Sequence, residues 1–109
     1  MTVAAILKHK GHDVASVHPA DSVADVVALL SARGFGAVLV RDAAPQVQGI
    51  VSERDIMRSL ARHGAATLAM TAAQLMTREL VTITPATTVE RAMALMTDRR
   101  LRHLPVLDQ

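Results

Sequence analysis

Apolar and polar residues in the first part of the chain follow a pattern that predicts a strand and then a helix. Residues 14–17 are a short, mostly apolar run closed by Pro19, which is typical of a brief β-strand. Asp21 and Ser22 supply helix-start signals, and Gly34 stands where a left-handed helix C-cap is expected. Between them, the i, i+3, i+4, i+7 spacing predicts one buried helical stripe, made of Val23, Val26, Val27 and Leu30.

Two further strands and a second helix follow. Residues 36–40 are an unbroken apolar run, and residues 48–51 form its expected hairpin partner across a turn that contains Pro45. A helix is expected to begin at Glu53 and to stop near Gly64. Its expected buried residues are Ile56, Met57 and Leu60. The predicted order is therefore strand, helix, strand, strand, helix.

The same pattern returns later in the chain. A gap-free shift by 66 positions lays residues 14–42 on residues 80–108 and places Pro19 on Pro85. The helical stripe recurs as Val89, Ala92, Met93 and Met96. Composition alone would not reproduce a proline, a helical stripe and a terminal aspartate at one register, so the chain contains two copies of one unit.

The two copies divide the chain into residues 1–66, with an N-terminal segment before the first strand, and residues 67–109. Residues 6–7 resemble residues 75–76, although the first copy has three more residues before its strand. The second copy ends before any counterpart of residues 49–55. We therefore expect it to lack the last strand and helix of the unit, which would leave an open hairpin edge.

At residues 49–56, Gly-Ile-Val-Ser-Glu-Arg-Asp-Ile, a strand runs without a loop into a helix. Ser52 stands at the helix N-cap, and Asp55 lies one turn further in. Unpaired backbone N–H groups and the positive end of the helix dipole converge at such a junction, which suits it to holding a phosphate. The carboxylate could accept hydrogen bonds from sugar hydroxyls. The same Ser-x-x-Asp pattern is also a capping box that satisfies two backbone donors, and both interpretations stay open.

The composition favours a packed domain that recognises anions. Of the 109 residues, 50% are apolar and 20% are charged, a balance that disfavours disorder. Ten of the twelve Lys and Arg residues are arginine, which favours forked recognition of phosphate or carboxylate. A net charge of +2 is weak support for nucleic-acid binding. Phe35 is the only aromatic residue, so a bound adenine would have to be held by aliphatic side chains.

The chain has no cysteine, which excludes disulfides, thiolate catalysis and cysteine-ligated metal. No apolar run approaches the ~18 residues that span a membrane. The N-terminal apolar stretch is too short for the core of a signal peptide. We therefore expect a cytoplasmic protein.

Tandem units of this order, with Gly-h-h-Ser-x-x-Asp (h apolar) ending the first, resemble the cystathionine-β-synthase (CBS) domain pair, or Bateman module. The resemblance covers nearly the whole chain and is greatest to short stand-alone bacterial modules. It rests on the order and spacing of residues 17–19, 49–56, 75–77, 81–85 and 102–108. The implied fold class is α+β, with tandem β-α-β-β-α units related by pseudo-two-fold symmetry and the second unit incomplete at the C-terminus.

The resemblance implies an adenosine-containing ligand, such as AMP, ADP, ATP, NAD(H) or S-adenosylmethionine, held in a cleft between the units, and a homodimer. Following the family pattern, Asp55 would bind ribose hydroxyls, and Ser52 would bind phosphate or ribose. Arg102 would reach the phosphates from the other unit, and Arg54 would add a second fork.

The same resemblance places Ser16 and Val17 beside the adenine, and Ile50 completes the candidate nucleotide-binding set. Gly36 departs from the family pattern, because some members have a basic residue there, as Arg102 is in the second copy. That departure predicts a ligand with few phosphates. Two charge-assisted arginine–phosphate bonds, each ~1.5–3 kcal/mol, and an aliphatic slot for adenine predict roughly micromolar to millimolar affinity.

Three other interpretations compete with a nucleotide sensor. The first is a dimerisation scaffold whose nucleotide site is vestigial. The second is nucleic-acid binding through Arg54, Arg58 and Arg62, which lie one turn apart and more simply form a solvated helix face. The third is a metal site at His9 and His12, which the neighbouring lysines disfavour.

Catalysis finds little support in the sequence. No nucleophile–base pair, metal motif or pair of carboxylates stands out. His103 neighbours Arg102 on a strand and faces the other way, so we expect it to be a packing or interface residue. Methionines are expected in the core and at a dimer interface. We predict a regulatory binding module rather than an enzyme, with an adenine nucleotide as regulatory ligand, no catalytic cofactor, no metal and no membrane partner.

Overall fold

A computed structural model describes residues 1–11, 14–43 and 46–108. His12 of the histidine pair and Pro45 of the predicted turn lie outside the described residues. The helices and strands are α1 (Val3–Lys10), β1 (Ser16–Val17), α2 (Val23–Arg33), β2 (Ala37–Arg41), β3 (Val47–Ser52), α3 (Glu53–His63), α4 (Ala72–Leu75) and α5 (Val89–Arg99), with a 3₁₀ helix over Gly64–Ala69.

The chain forms two compact units. The first, which we call the central unit, is Val14–Glu79, and the second, the terminal unit, combines Met1–Asp13 with Leu80–Gln109. Within the residues described, no helix is long and apolar enough to cross a membrane.

A three-stranded sheet with the order β1-β2-β3 lies at the heart of the central unit. β1 is parallel to β2, with Val17 opposite Val40, and β2 is antiparallel to β3, with Val38 opposite Val51. β1, α2, β2, β3 and α3 follow one another in the chain. The predicted strand, helix, strand, strand, helix order is therefore confirmed in this unit, although β1 is two residues long where four were predicted.

The two faces of this sheet differ in burial, because successive side chains of a strand point to opposite sides. One face belongs to the hydrophobic core, which also contains residues of α2 and α3 and consists of Ala15, Val17, Val23, Val26, Leu30, Val38, Val40, Val51, Ile56, Ala72 and Met76. The other face, which we call the outer face, remains partly accessible. Its residues are Ser16, Leu39, Arg41, Ile50 and Ser52.

The ends of α2 form as the sequence predicts. The Ser22 side chain accepts a hydrogen bond from the Asp25 backbone N–H at 3.1 Å and caps the first turn. Gly34 ends the helix in the left-handed region, at φ 65° and ψ 32°. Of the predicted stripe, Val23, Val26 and Leu30 are buried.

Three apolar residues predicted to be buried are instead exposed. Val27 of α2 is 36% exposed, and Met57 and Leu60 of α3 are 64% and 42% exposed. The core-facing part of each helix is narrower than its apolar stripe, so the remaining apolar side chains lie between the helices and not against the sheet.

The terminal unit repeats part of this architecture at the same register. Ile83 pairs with Val106 in a parallel bridge, which is the pairing of Val17 with Val40 displaced by 66 residues. The Ile83 N–H donates to the Pro105 carbonyl at 3.0 Å. α5 follows where the repeated stripe predicts a helix. The repeat found in the sequence is thus also present in the backbone hydrogen bonding.

Each copy begins with a segment that pairs with the strand–helix junction of the other copy. In the terminal unit, Thr2 bridges to Thr88, and the Val3 N–H donates to the Thr87 carbonyl at 2.8 Å. In the central unit, Thr71 bridges to Ser22, and the residue after it, in α4, donates to the Asp21 carbonyl at 2.8 Å. The two sequence copies therefore exchange leading segments, which is why the bounds of the compact units differ from those of the repeat.

Arg100 occupies a backbone position that its counterpart fills with glycine. Arg100 ends α5 at φ 55° and ψ 45°, and it is the residue 66 positions after Gly34. A left-handed conformation costs a non-glycine residue about 1–2 kcal/mol. Glycine avoids this strain, but it also makes the unfolded chain more flexible, which offsets part of the gain in stability. Arg100→Gly is therefore expected to stabilise the protein by about 0.5–1 kcal/mol and to raise Tm by about 3–6 °C.

The matched control is Arg99→Gly, one residue earlier and still helical. Glycine inside a helix is destabilising by about 1 kcal/mol, so this variant should melt at a lower temperature than the wild type. Equal Tm changes for the two variants, measured by differential scanning calorimetry, would contradict the assignment of strain to Arg100.

Candidate functional site

The junction between β3 and α3 is a closed capping box. The Ser52 N–H donates to Asp55 Oδ2 at 2.9 Å, and the Asp55 N–H donates to Ser52 Oγ at 3.3 Å. The Ser52 hydroxyl also donates to Asp55 Oδ2 at 3.0 Å. The capping interpretation of the Ser-x-x-Asp pattern is thus correct at the level of local structure.

This arrangement uses the donors expected to hold a phosphate. The N–H groups of Ser52 and Asp55 are engaged in the box, and the Glu53 N–H donates to the Gly36 carbonyl at 3.0 Å. Of the first-turn N–H groups, only that of Arg54 has no hydrogen-bond partner among the described residues, so a phosphate would meet a single free donor unless it displaced one of these bonds. The geometry therefore favours the carboxylate, rather than the helix N–H groups, as the ligand-contacting part of the junction.

Asp55 keeps one oxygen available for a ligand. Oδ2 accepts both bonds from Ser52, whereas Oδ1 has a single long contact, 3.5 Å from the Thr77 hydroxyl. The contact of Oδ1 with Thr77 is exposed, whereas the two bonds of Oδ2 are partly buried. A carboxylate oxygen in this state can accept hydrogen bonds from the hydroxyl groups of a sugar.

Thr77 reaches Asp55 because the segment before it runs along β3. Ile50 and Thr77 form an antiparallel bridge, with backbone hydrogen bonds of 3.1 and 2.8 Å. The approach is close at Gly49, where an added Cβ would lie 2.7 Å from the Met76 sulfur and 2.8 Å from the Thr77 carbonyl oxygen. Thr77 was missed in the sequence because it lies 22 residues from Asp55, too far for the periodicity of one helix or strand to connect the two.

An aliphatic surface adjoins this carboxylate on the outer face. Ile50 and Leu39 are directly opposite each other across β2 and β3, and Ser52 is opposite Ala37 at the end nearest Asp55. Ser16 lies beside Leu39 on β1 and is exposed. Leu39 was missed in the sequence because its own run is uniformly apolar, and only the register of β2 against β3 shows that it faces the same side as Ile50.

The remaining candidate residues are placed differently. Val17 is 8% exposed and its side chain lies in the core, facing away from Ser16, so only its main chain could contact a ligand. Arg54 is half-buried at the start of α3 and has no hydrogen bond or ion pair among the described residues. Arg102 is exposed and belongs to the terminal unit, where its role in binding stays a prediction.

A groove between α2 and α3 is the second notable surface of the central unit. Its volume is about 490 Å³. The lining residues are Val27, Leu30, Ser31, Gly34, Phe35, Glu53, Ile56, Met57 and Leu60. Met93, the counterpart of Val27 in the 66-residue repeat, is 62% exposed on α5. Equivalent helices of both units thus present exposed apolar side chains.

A metal site finds no support in the part of the chain that the structure describes. No group of three or more His, Asp or Glu residues there is arranged to hold a metal ion.

Comparison with known families assigns the fold. The model of the CBS domain matches residues 3–62 and again residues 72–109, which together make up most of the chain. The chain belongs to the CBS-domain family. The two matched segments correspond to the two copies, and the resemblance seen in the sequence is confirmed.

Two CBS-domain proteins illustrate how similar the relatives are. The chain is 40% identical over 91 residues to the CBS domain-containing protein CBSX3, mitochondrial, of Arabidopsis thaliana, an alignment that covers 80% of this chain and 44% of the relative. The crystal structure of a CBS-domain containing protein from Agrobacterium tumefaciens is 37% identical and has a TM-score of 0.95, covering 99% of this chain and 86% of that one. The α+β fold class is therefore confirmed.

A third CBS-domain protein has been solved with a nucleotide. The structure of CBSX2 in complex with AMP is 27% identical to this chain, with a TM-score of 0.73, and covers 98% of this chain and 81% of that one. The chain spans 31–49% of the length of the first three curated relatives, and so less than half of each.

Proposed function

We propose that this CBS pair is a regulatory module that binds an adenine nucleotide, with the sugar held by Asp55. The observation that carries the proposal is the state of this carboxylate, whose Oδ1 has only a 3.5 Å contact and lies at the end of a half-buried aliphatic surface. AMP in the similar CBSX2 structure supports the choice of an adenosine-containing ligand.

In the proposed complex, Asp55 Oδ1 accepts hydrogen bonds from the ribose hydroxyls. Leu39 and Ile50 form the aliphatic surface for the adenine ring, and Ser16 stands at its far side. Arg54, half-buried and without a partner among the described residues, is the first candidate for the phosphate. ATP, ADP and NAD(H) remain alternatives to AMP.

Binding, rather than catalysis, is the proposed role, and the ligand is regulatory instead of a catalytic cofactor. A cytoplasmic location and a homodimer are part of the same proposal. Nucleotide occupancy would alter the position of the Met76–Thr77 segment, because Thr77 shares Oδ1 with the sugar.

A dimerisation scaffold with a vestigial nucleotide site is the second candidate function. It is favoured by the groove between α2 and α3, where Val27, Met57 and Leu60 are 36%, 64% and 42% exposed. A second copy of the chain would cover these side chains.

AMP titration of the full chain tests the proposal. Isothermal calorimetry is expected to show saturable binding with a roughly micromolar to millimolar Kd. AMP at ten times Kd should add about 1.4 kcal/mol of stability and raise Tm by about 5 °C or more. Uridine monophosphate, which has the same sugar and phosphate and a smaller base, is the control and should bind at least several-fold more weakly.

Light scattering on the same samples separates the two candidate functions. A dimer with no heat and no Tm change at millimolar AMP would contradict the nucleotide site and support the scaffold. A heat of binding, whatever the oligomeric state, would support the nucleotide module.

A further inference from the structure

Arg41 is a cation of the outer face that no sequence motif identified. Its Nε donates to Ser16 Oγ at 3.1 Å, which joins the end of β2 to β1. Leu39, two residues earlier in β2, has its side chain on the same side of the sheet. Arg41 thus lies at the edge of the aliphatic surface that we propose for the adenine.

The two copies differ at this position. The counterpart of Arg41 in the repeat is Leu107, whereas the counterpart of Gly36 is Arg102. The central unit therefore carries its arginine at the end of the strand, and the terminal unit carries one at the start. Arg41 is not part of the pattern that the two copies share, and it makes the central unit chemically distinct.

The guanidinium of Arg41 keeps N–H donors that no described residue engages. The residue is half-buried, and an arginine has five N–H donors, of which the Ser16 bond uses one. Within the described residues no carboxylate forms an ion pair with it. An acceptor from a ligand would add a charge-assisted hydrogen bond to a guanidinium that Ser16 already orients.

The separation between Ser16, which anchors Arg41, and Ser52, which adjoins the sugar site, is close to the length of a nucleoside. Ser16 pairs with Leu39 and Ser52 pairs with Ala37, so the two serines are two strands apart and offset by two residues. Strand spacing and rise place them roughly 12 Å apart. A nucleoside whose sugar hydroxyls contact Asp55 and whose base covers Leu39 and Ile50 would bring the far edge of its base to this point.

We infer that Arg41, held in position by Ser16, donates a hydrogen bond to a ring nitrogen of the bound purine and selects for that class of base. The inference rests on the proposed nucleotide site and adds a specificity-determining residue to it. Adenine carries acceptor nitrogens on both of its outer edges. In a pyrimidine nucleotide whose sugar contacts Asp55, the smaller ring would not reach Arg41.

The test compares AMP with two analogues in which one ring nitrogen is replaced by carbon, 1-deaza-AMP and 7-deaza-AMP. Loss of a hydrogen bond from a charged donor corresponds to about tenfold or more in Kd. One of the two analogues is expected to bind the wild type about tenfold more weakly than AMP. Arg41→Leu, the residue found in the other copy, is expected to lower AMP affinity by a similar factor and to leave the affinity for that analogue unchanged.

Arg62→Leu is the matched control, because it removes the same charge from an exposed position of the central unit. It should bind all three nucleotides as the wild type does. Ser16→Ala leaves the charge of Arg41 but removes the hydrogen bond that holds it, so it should weaken AMP binding several-fold. Its change in Tm should be no larger than that of Arg62→Leu.

The outcomes separate this inference from the function on which it rests. No AMP binding to the wild type would overturn both. AMP binding with equal affinities for both analogues, or with Arg41→Leu behaving as Arg62→Leu does, would overturn the role of Arg41 and leave the nucleotide site standing.

Discussion

Gly49→Val is expected to destabilise the protein by about 3 kcal/mol and to lower Tm by more than 10 °C. The reason is the close approach of two chain segments. A Cβ at this position would lie 2.7 Å from the Met76 sulfur and 2.8 Å from the Thr77 carbonyl oxygen. The sulfur belongs to a side chain, but the carbonyl belongs to a backbone that also pairs with Ile50. Relief would require breaking that bridge.

Two further variants test whether the loss of stability comes from the close approach at Gly49. Gln48→Ala changes the preceding residue of β3, whose side chain reaches Asp42 at the surface, and should change the free energy of unfolding by less than about 1 kcal/mol. Gly49→Val combined with Met76→Ala should be no more stable than Gly49→Val alone, because the contact with the Thr77 carbonyl remains and Met76 is itself a core residue. If Gly49→Val unfolds at the same temperature or denaturant concentration as Gln48→Ala, the close approach is refuted.

Asp55→Asn is expected to weaken AMP binding by about 100-fold. Each hydrogen bond from a ribose hydroxyl to an ionised carboxylate is worth ~1.5–3 kcal/mol, and the amide removes the charge and replaces one acceptor oxygen by a donor. Asparagine retains an oxygen that can accept from the Ser52 N–H, so the fold should persist. Calorimetric titration measures the affinity, and far-ultraviolet circular dichroism checks the fold.

Asp25→Asn provides the matched control for Asp55→Asn. Asp25 is the third residue of α2, as Asp55 is of α3, and its N–H likewise donates to the capping serine. The substitution makes the same charge change on an exposed residue away from the outer face. It should alter AMP affinity by less than twofold. Equal losses in the two variants would point to long-range charge rather than to contact with the sugar.

Local sequence signals predicted the elements of the central unit well. The serine and glycine at the ends of α2 occupy the cap positions that their chemistry favours, since both the capping bond and the left-handed C-cap depend on neighbouring residues only. The internal repeat was visible because the same residues recur at one spacing. Burial was predicted less well: Met57 and Val27 belong to regular apolar stripes, but a stripe does not reveal which part of it meets the sheet.

The candidate site was only partly visible for a different reason. Ser52 and Asp55 form a local motif, but the motif could not reveal that its own members satisfy the N–H groups expected to receive phosphate. Thr77 and Arg41 reach the outer face through pairing with distant strands, and no periodicity within one element encodes such a contact. The sequence therefore named the acid that we propose to bind the sugar, together with Ser16, Ile50 and Ser52, but not Leu39, Thr77 or Arg41.

The exchange of leading segments has a consequence for the order in which the protein forms. Residues 3 and 4 donate backbone hydrogen bonds to residues 87 and 85, so α1 cannot dock until most of the chain has left the ribosome. The central unit, by contrast, is one continuous segment of the chain, residues 14–79. Synthesis would thus complete the unit that carries Asp55 first, and the start of the chain would wait, undocked, for the late-emerging segment that receives it.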